Sequence, residues 1–139
     1  MLNTNTIYNE AGTGAPDFPA GMPTVGGDPV VESGSNSDGE WTRWADGTQE
    51  CQHITAVVTT ATNLSGTADI YRTPYIPVNF PVAFSSPPRM VPFSYENTQN
   101  LSWGASDITP SLTDGGVYGL ACFNNVTTRP GYIAIGRYK

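Results

Sequence analysis

From residue 30 onward the chain reads as short stretches that are apolar or alternate apolar with polar, and no window repeats with the 3.6-residue period of an amphipathic helix. A period of two predicts strands. Residues 41–44 form the first of them and pair across an Asp46-Gly47 turn with residues 48–61, which include the β-branched run ITAVVTTAT. Asp-Gly supplies the positive φ angles that a two-residue hairpin loop needs. The polar, glycine-bearing stretch before residue 41 reads as a lead-in to this hairpin. Residues 62–67 read as a loop and residues 68–71 as a short strand. The segment TPYIPVNFPVAF is edge strand or irregular extended chain, because Pro74, Pro77 and Pro81 each remove a ladder donor. Residues 89–95, 101–105, 117–123 and 132–138 complete the strands, with Asp114 before Gly115-Gly116 as a turn residue. Short strands bounded by Gly, Pro, Asn and Asp predict an all-β fold, a small antiparallel β-sandwich with almost no helix.

Residues 1–29 break this pattern. Four prolines (Pro16, Pro19, Pro23 and Pro29) are interleaved with glycines, which excludes a regular helix and predicts an extended, irregular N-terminal arm. The charge divides near the same place. The first 42 residues hold six acids and no Lys or Arg, whereas the remainder holds six acids and six bases, so the whole net charge of −6 lies in the first third. That third has only Tyr8 and Phe18 as aromatics before Trp41, too little to build a core. Two regions follow: an arm over residues 1–29, with Tyr8, Phe18 and Met22 as its sparse apolar anchors, and a domain over residues 30–139.

The acidic balance argues against nucleic acid, whose phosphates require clustered Lys and Arg. Residues 1–30 lack the basic start and apolar run of a signal peptide, and no segment has the roughly 20 apolar residues of a membrane span, so synthesis in a cytoplasm without membrane insertion is expected. Cys51 and Cys122 are then expected as reduced thiols. Catalysis finds little support. His53, the one histidine, lies in a β-branched stretch that looks structural, and no His or Cys spacing fits zinc or another cofactor. The acids outside the arm give no paired-carboxylate pattern for glycoside hydrolysis, since Asp46 and Asp114 read as turn residues.

Three blocks in order carry a resemblance: GSNSDGEWTRWADGTQEC, then NFPVAFSSPPRMVPF, then GYIAIGRYK at the C-terminus. Together they resemble the receptor-binding C-terminal domain of bacteriophage tail-fibre proteins, a small β-sandwich similar to the H-type lectins. The resemblance covers about residues 30–139. Trp44 stands where that family more often has Phe, and the last strand ends in Tyr138-Lys139 where Trp is usual, both exchanges that keep an aromatic. The resemblance implies a homotrimer at the tip of a virion fibre, with loops that contact saccharide on the host cell surface. It also implies that residues 1–29 attach the subunit to other tail, baseplate or capsid proteins.

Saccharide recognition calls for an aromatic face for the C–H side of the sugar and amide or carboxylate groups for its hydroxyls. Tyr95, Glu96, Asn97, Gln99, Asn100, Trp103 and Asp107 offer that mixture in one expected loop, and Asn124, Asn125 and Arg129 offer a second set before the last strand. Strand alternation places Trp41 and Arg43 on one face and Trp44 on the other, which makes Trp41 and Arg43 candidates for the trimer interface. The functional expectation is a phage receptor-binding protein with a lectin-like trimeric head. The alternative is a structural head-fibre or decoration subunit built on the same module without a receptor.

Overall fold

The computed structural model describes residues 24–25, 28–29, 31–64, 69–96, 101–106 and 108–139. All regular structure among them is β. Thirteen strands occur: β1 (Thr24–Val25), β2 (Asp28–Pro29), β3 (Val31–Asn36), β4 (Gly39–Trp44), β5 (Thr48–Ile54), β6 (Val58–Thr59), β7 (Thr62–Asn63), β8 (Tyr71–Arg72), β9 (Ile76–Asn79), β10 (Arg89–Glu96), β11 (Ser102–Ala105), β12 (Asp114–Ala121) and β13 (Thr127–Arg137). β1 and β2 pair with each other within the expected arm. The larger sheet runs β10-β13-β5-β4-β3, with β6 also on β13; the smaller runs β11-β12-β8-β7, with β9 also on β12. Every pairing is antiparallel, and the two sheets form a sandwich.

Between the sheets lie Cys51, Val78, Phe80, Phe84, Val117, Tyr132 and Ala134, with Trp41, Ile76, Val82 and Met90 packed around them. Tyr132 is the centre of this core. It is fully buried, its ring meets Phe80 edge-on at 5.4 Å, and its hydroxyl donates to the Asn79 carbonyl at 3.0 Å. Burial pushes its phenol well above the usual tyrosine range, so it stays protonated. Phe84 meets Phe80 at 5.2 Å and lies against Gly136, where a Cβ would come within 2.8 Å of its ring. The three sequence blocks therefore converge on one core.

Gln49 ties the layers together. Fully buried on β5, its amide donates to the Val82 and Ala83 carbonyls, both at 3.2 Å, while its oxygen accepts from Arg43 Nε at 2.8 Å. The buried amide is thus satisfied on both ends, as a polar group in a core must be.

Several expectations change. The stretch over residues 48–61 is two strands, and the break has a cause on β13: Thr55 N donates to the Pro130 carbonyl at 2.9 Å, but Pro130 has no N–H to complete the ladder. The lead-in before residue 39 is a strand, β3, held by a six-residue ladder to β4 and closed by Ser37 and Asp38, with Asp38 N donating to Asn36 Oδ1 at 2.9 Å. The loop between β4 and β5 has three residues, and only Gly47 takes positive φ, at 90°. Asp46 remains a turn residue through its carboxylate, which accepts the Thr48 N–H at 2.8 Å; that bond holds its pKa below the ordinary value. Asp114 opens β12 and is no turn residue, and Gly115-Gly116 continue the strand because Met90 and the Tyr75 ring occupy the space a side chain would need. The expected loop over residues 62–67 begins with β7.

β11 lies almost on the backbone of β10. A Cβ on Gly104 would fall 2.3–2.5 Å from backbone atoms of Phe93. Because the obstacle is backbone, Gly104→Ala is expected to destabilise the protein by about 1–3 kcal/mol, measured as a lower urea midpoint; an unchanged midpoint would refute the close packing of these strands.

Candidate functional site

Register and exposure fix which side chains leave the larger sheet outward. Across it runs the row Val91, Ile133, Gln52, Glu40 and Ser35, and beside it the row Arg89, Ile135, Glu50, Thr42 and Ser33. The first row runs from aliphatic to polar across the sheet, whereas the second has a cation, Arg89, at one end, then Ile135, and carboxylate and hydroxyl groups beyond it. Over β10 and β13 this face carries Val91, 61% exposed, and Ile135, 47% exposed, beside the exposed cations Arg89 and Arg129, and Phe93 and Tyr95 stack there with ring planes 7° apart. Over β3, β4 and β5 these two rows offer hydroxyl, amide and carboxylate groups, with Val31, Trp44 and Ile54 beyond them on the same face. Two adjoining cavities of about 350 Å³ each lie on this face. The first is lined by Ser33, Gly34, Ser35, Glu40, Thr42, Glu50 and Gln52 together with Trp41, the second by Gly39, Glu40, Gln52, His53, Ile54, Phe93 and Ile133.

The sequence-derived candidates are distributed around the molecule. Tyr95, 44% exposed on β10, stands opposite Arg129 of β13 on the same outward face. Glu96 follows it, half-buried and on the other side of the strand, opposite Thr128. Trp103 is 37% exposed on β11, but its neighbour Gly104 faces β10, so Trp103 points away from the larger sheet. Tyr95 and Trp103 thus present to opposite sides of the sandwich. Asn97, Gln99, Asn100 and Asp107 lie outside the described residues, as do Tyr8, Phe18 and Met22 of the arm.

Asn124 and Asn125 are exposed and serve a turn: Asn125 has φ of 57°, and its N–H lies 2.9 Å from Asn124 Oδ1 and 2.8 Å from the Thr60 carbonyl. Trp41 and Arg43 do share a face, as alternation requires, and it is the inward one. Trp41 packs against the core and also limits Gly34, where a Cβ would lie 2.8 Å from the indole. Arg43 is held between the Trp41 and Tyr138 rings, 5.1 and 4.9 Å from their centroids, while its Nε is bonded to Gln49. The outward polar set had a sequence signal that went unread. Ser33-x-Ser35, Glu40-x-Thr42 and Glu50-x-Gln52 repeat polar residues at period two on three consecutive strands, and the two hairpin turns bring them side by side.

Neither cysteine is paired. Cys51 is fully buried, and its thiol is pushed up to about 11, mainly by burial. Among the described residues no group of three or more His, Cys, Asp or Glu is placed to hold a metal, and no helix is long and apolar enough to cross a membrane. Comparison with protein-family models, curated proteins and solved structures found no match.

The thiol environment gives a direct check. At pH 8 one thiol, Cys122, is expected to react with iodoacetamide in the native protein and two after denaturation, because the thiolate is the reactive form. Native alkylation of Cys51 at the Cys122 rate would contradict its burial.

Proposed function

We propose that this protein is a phage receptor-binding virion subunit whose sandwich forms a homotrimeric, lectin-like head that recognises saccharide on the host cell surface, with residues 1–29 attaching it to the virion. The observation that carries the reading is the convergence of all three tail-fibre-like blocks on a single core: Gln49 and Cys51 from the first, Phe80, Val82, Ala83 and Phe84 from the second, Tyr132, Ala134 and Gly136 from the third.

The outward face supports the same reading. Val91 and Ile135 are exposed beside the open hydroxyl-lined cavity, which suits a surface for copies of the chain next to one for a polar ligand. Three copies of one weak sugar site raise avidity by roughly 100- to 10,000-fold without new contacts. The alternative, a structural head-fibre or decoration subunit, uses the same core and the same exposed Val91 and Ile135 but leaves the polar cavity without a purpose.

The purified protein is expected to run as three copies by native mass spectrometry, to bind host cells, and to block infection competitively. Trimers that bind no host cell, and whose loss from the particle alters only its stability, would overturn the receptor reading in favour of the decoration one. A clean monomer at micromolar concentration would count against both.

A further inference from the structure

The two outward cavities share Glu40 and Gln52, and Gln52 Nε2 donates to Glu40 Oε2 at 3.0 Å where they meet. They form one trough. Its β3–β5 half presents hydroxyls from Ser33, Ser35 and Thr42 and carboxylates from Glu40 and Glu50. Its other half presents Ile54, Ile133 and Phe93. The Phe93 ring lies over Gly131, where a Cβ would come within 2.6 Å of it, so the aromatic surface is held in place by the absence of a side chain beneath it. Polar groups at one end and a fixed aromatic and aliphatic surface at the other match the two faces of a pyranose ring.

The charge of the lining selects among sugars. No Lys or Arg lines either cavity. An acidic saccharide would bring its carboxylate or sulfate against Glu40 and Glu50 with no Lys or Arg in the lining to offset the repulsion, Arg89 lying beyond Ile135 in the same row, whereas an ammonium group would gain charge-assisted hydrogen bonds to them. We propose that the trough binds a saccharide carrying free amino groups, with the ammonium at Glu40 and Glu50 and the C–H face of a sugar ring on Phe93, Ile54 and Ile133. This rests on the saccharide-binding reading above and specifies its site and ligand class. The tail-fibre resemblance drew attention to the residues after Tyr95; the trough lies mainly on β3, β4 and β5.

Isothermal titration of the full chain with three probes tests it: a glucosamine trisaccharide, its N-acetylated counterpart and a trigalacturonate. The amino sugar is expected to bind about tenfold or more tighter than the N-acetylated one, as charge-assisted hydrogen bonds do relative to neutral ones, and the trigalacturonate not at all. Glu40→Gln with Glu50→Gln should reduce the amino sugar to the level of the N-acetylated probe, and Ser35→Trp should block both. A charge-matched control, Glu32→Gln with Asp69→Asn, should change neither. Equal loss in the control would mean general attraction to an acidic protein and would overturn the site, as would equal or absent binding of all three sugars. Host-cell adhesion separates the two levels: wild-type adhesion that survives the Glu40 and Glu50 exchanges removes the trough and leaves the receptor reading standing, while absent wild-type adhesion removes that reading itself.

Discussion

Strand β13 is the constraint on which the rest depends. It lies between β10 on one side and β5 and β6 on the other, so its eleven residues set the register of the whole larger sheet. Its inward positions, Thr128, Pro130, Tyr132 and Ala134, are all buried, and its outward positions carry Ile133 and Ile135. A one-residue slip would exchange these sets and bring Arg129 and Arg137 inward. Tyr132 makes the correct register the favoured one, because only there does its hydroxyl find the Asn79 carbonyl while its ring fills the gap beside Phe80. Pro130 adds a stop, since the β5 ladder cannot pass a residue without an N–H.

From that strand the outward surface follows by geometry. Once Ala134 faces Cys51 and Ile135 faces Glu50, Ile133 and Ile135 on β13 lie outward beside Gln52 and Glu50 of β5 and, beyond them, Glu40 and Thr42 of β4. The trough exists because three short strands joined by tight turns each offer polar residues at period two. Its aromatic end exists because Gly131 lets Phe93 lie flat. The inward side of the same strands is given to architecture. Arg43 is clasped by two rings and bonded to Gln49, so the cation that alternation marked as an interface candidate is engaged within its own chain.

Much of the fold was legible in the sequence, because β-branched and alternating runs bounded by Gly and Pro have few solutions other than strands. The existence of a sandwich, the hairpin after Trp41 and the pairing of Trp41 with Arg43 on one face all follow from local chemistry. What escaped was set by a segment's partners and not by its own pattern. β3 has no apolar alternation and is a strand because β4 supplies its ladder. Gly115-Gly116 look like a turn until Tyr75 and Met90 are seen to occupy the space above them. The candidate site was legible only in part. A cluster after Tyr95 with the right chemistry for sugars was visible, but Gly104, pressed on the Phe93 backbone, sends Trp103 to the other side of the molecule. The Glu40, Thr42, Glu50 and Gln52 set was hidden inside a hairpin that reads as architecture, which it also is.

Strands β4 and β5 thus turn one face to the core and the other to the cavities, and the arm lies apart from both in the sequence. The measurement that tests this account most directly is cryo-electron microscopy of the virions that carry this chain, at a resolution that locates the sandwich. The account predicts three sandwiches around one axis at the outer end of the assembly, the Glu40 and Glu50 edge turned to solvent and residues 1–29 toward the particle. Sandwiches lying flat on the particle surface, with that edge buried against a neighbouring virion protein, would contradict it.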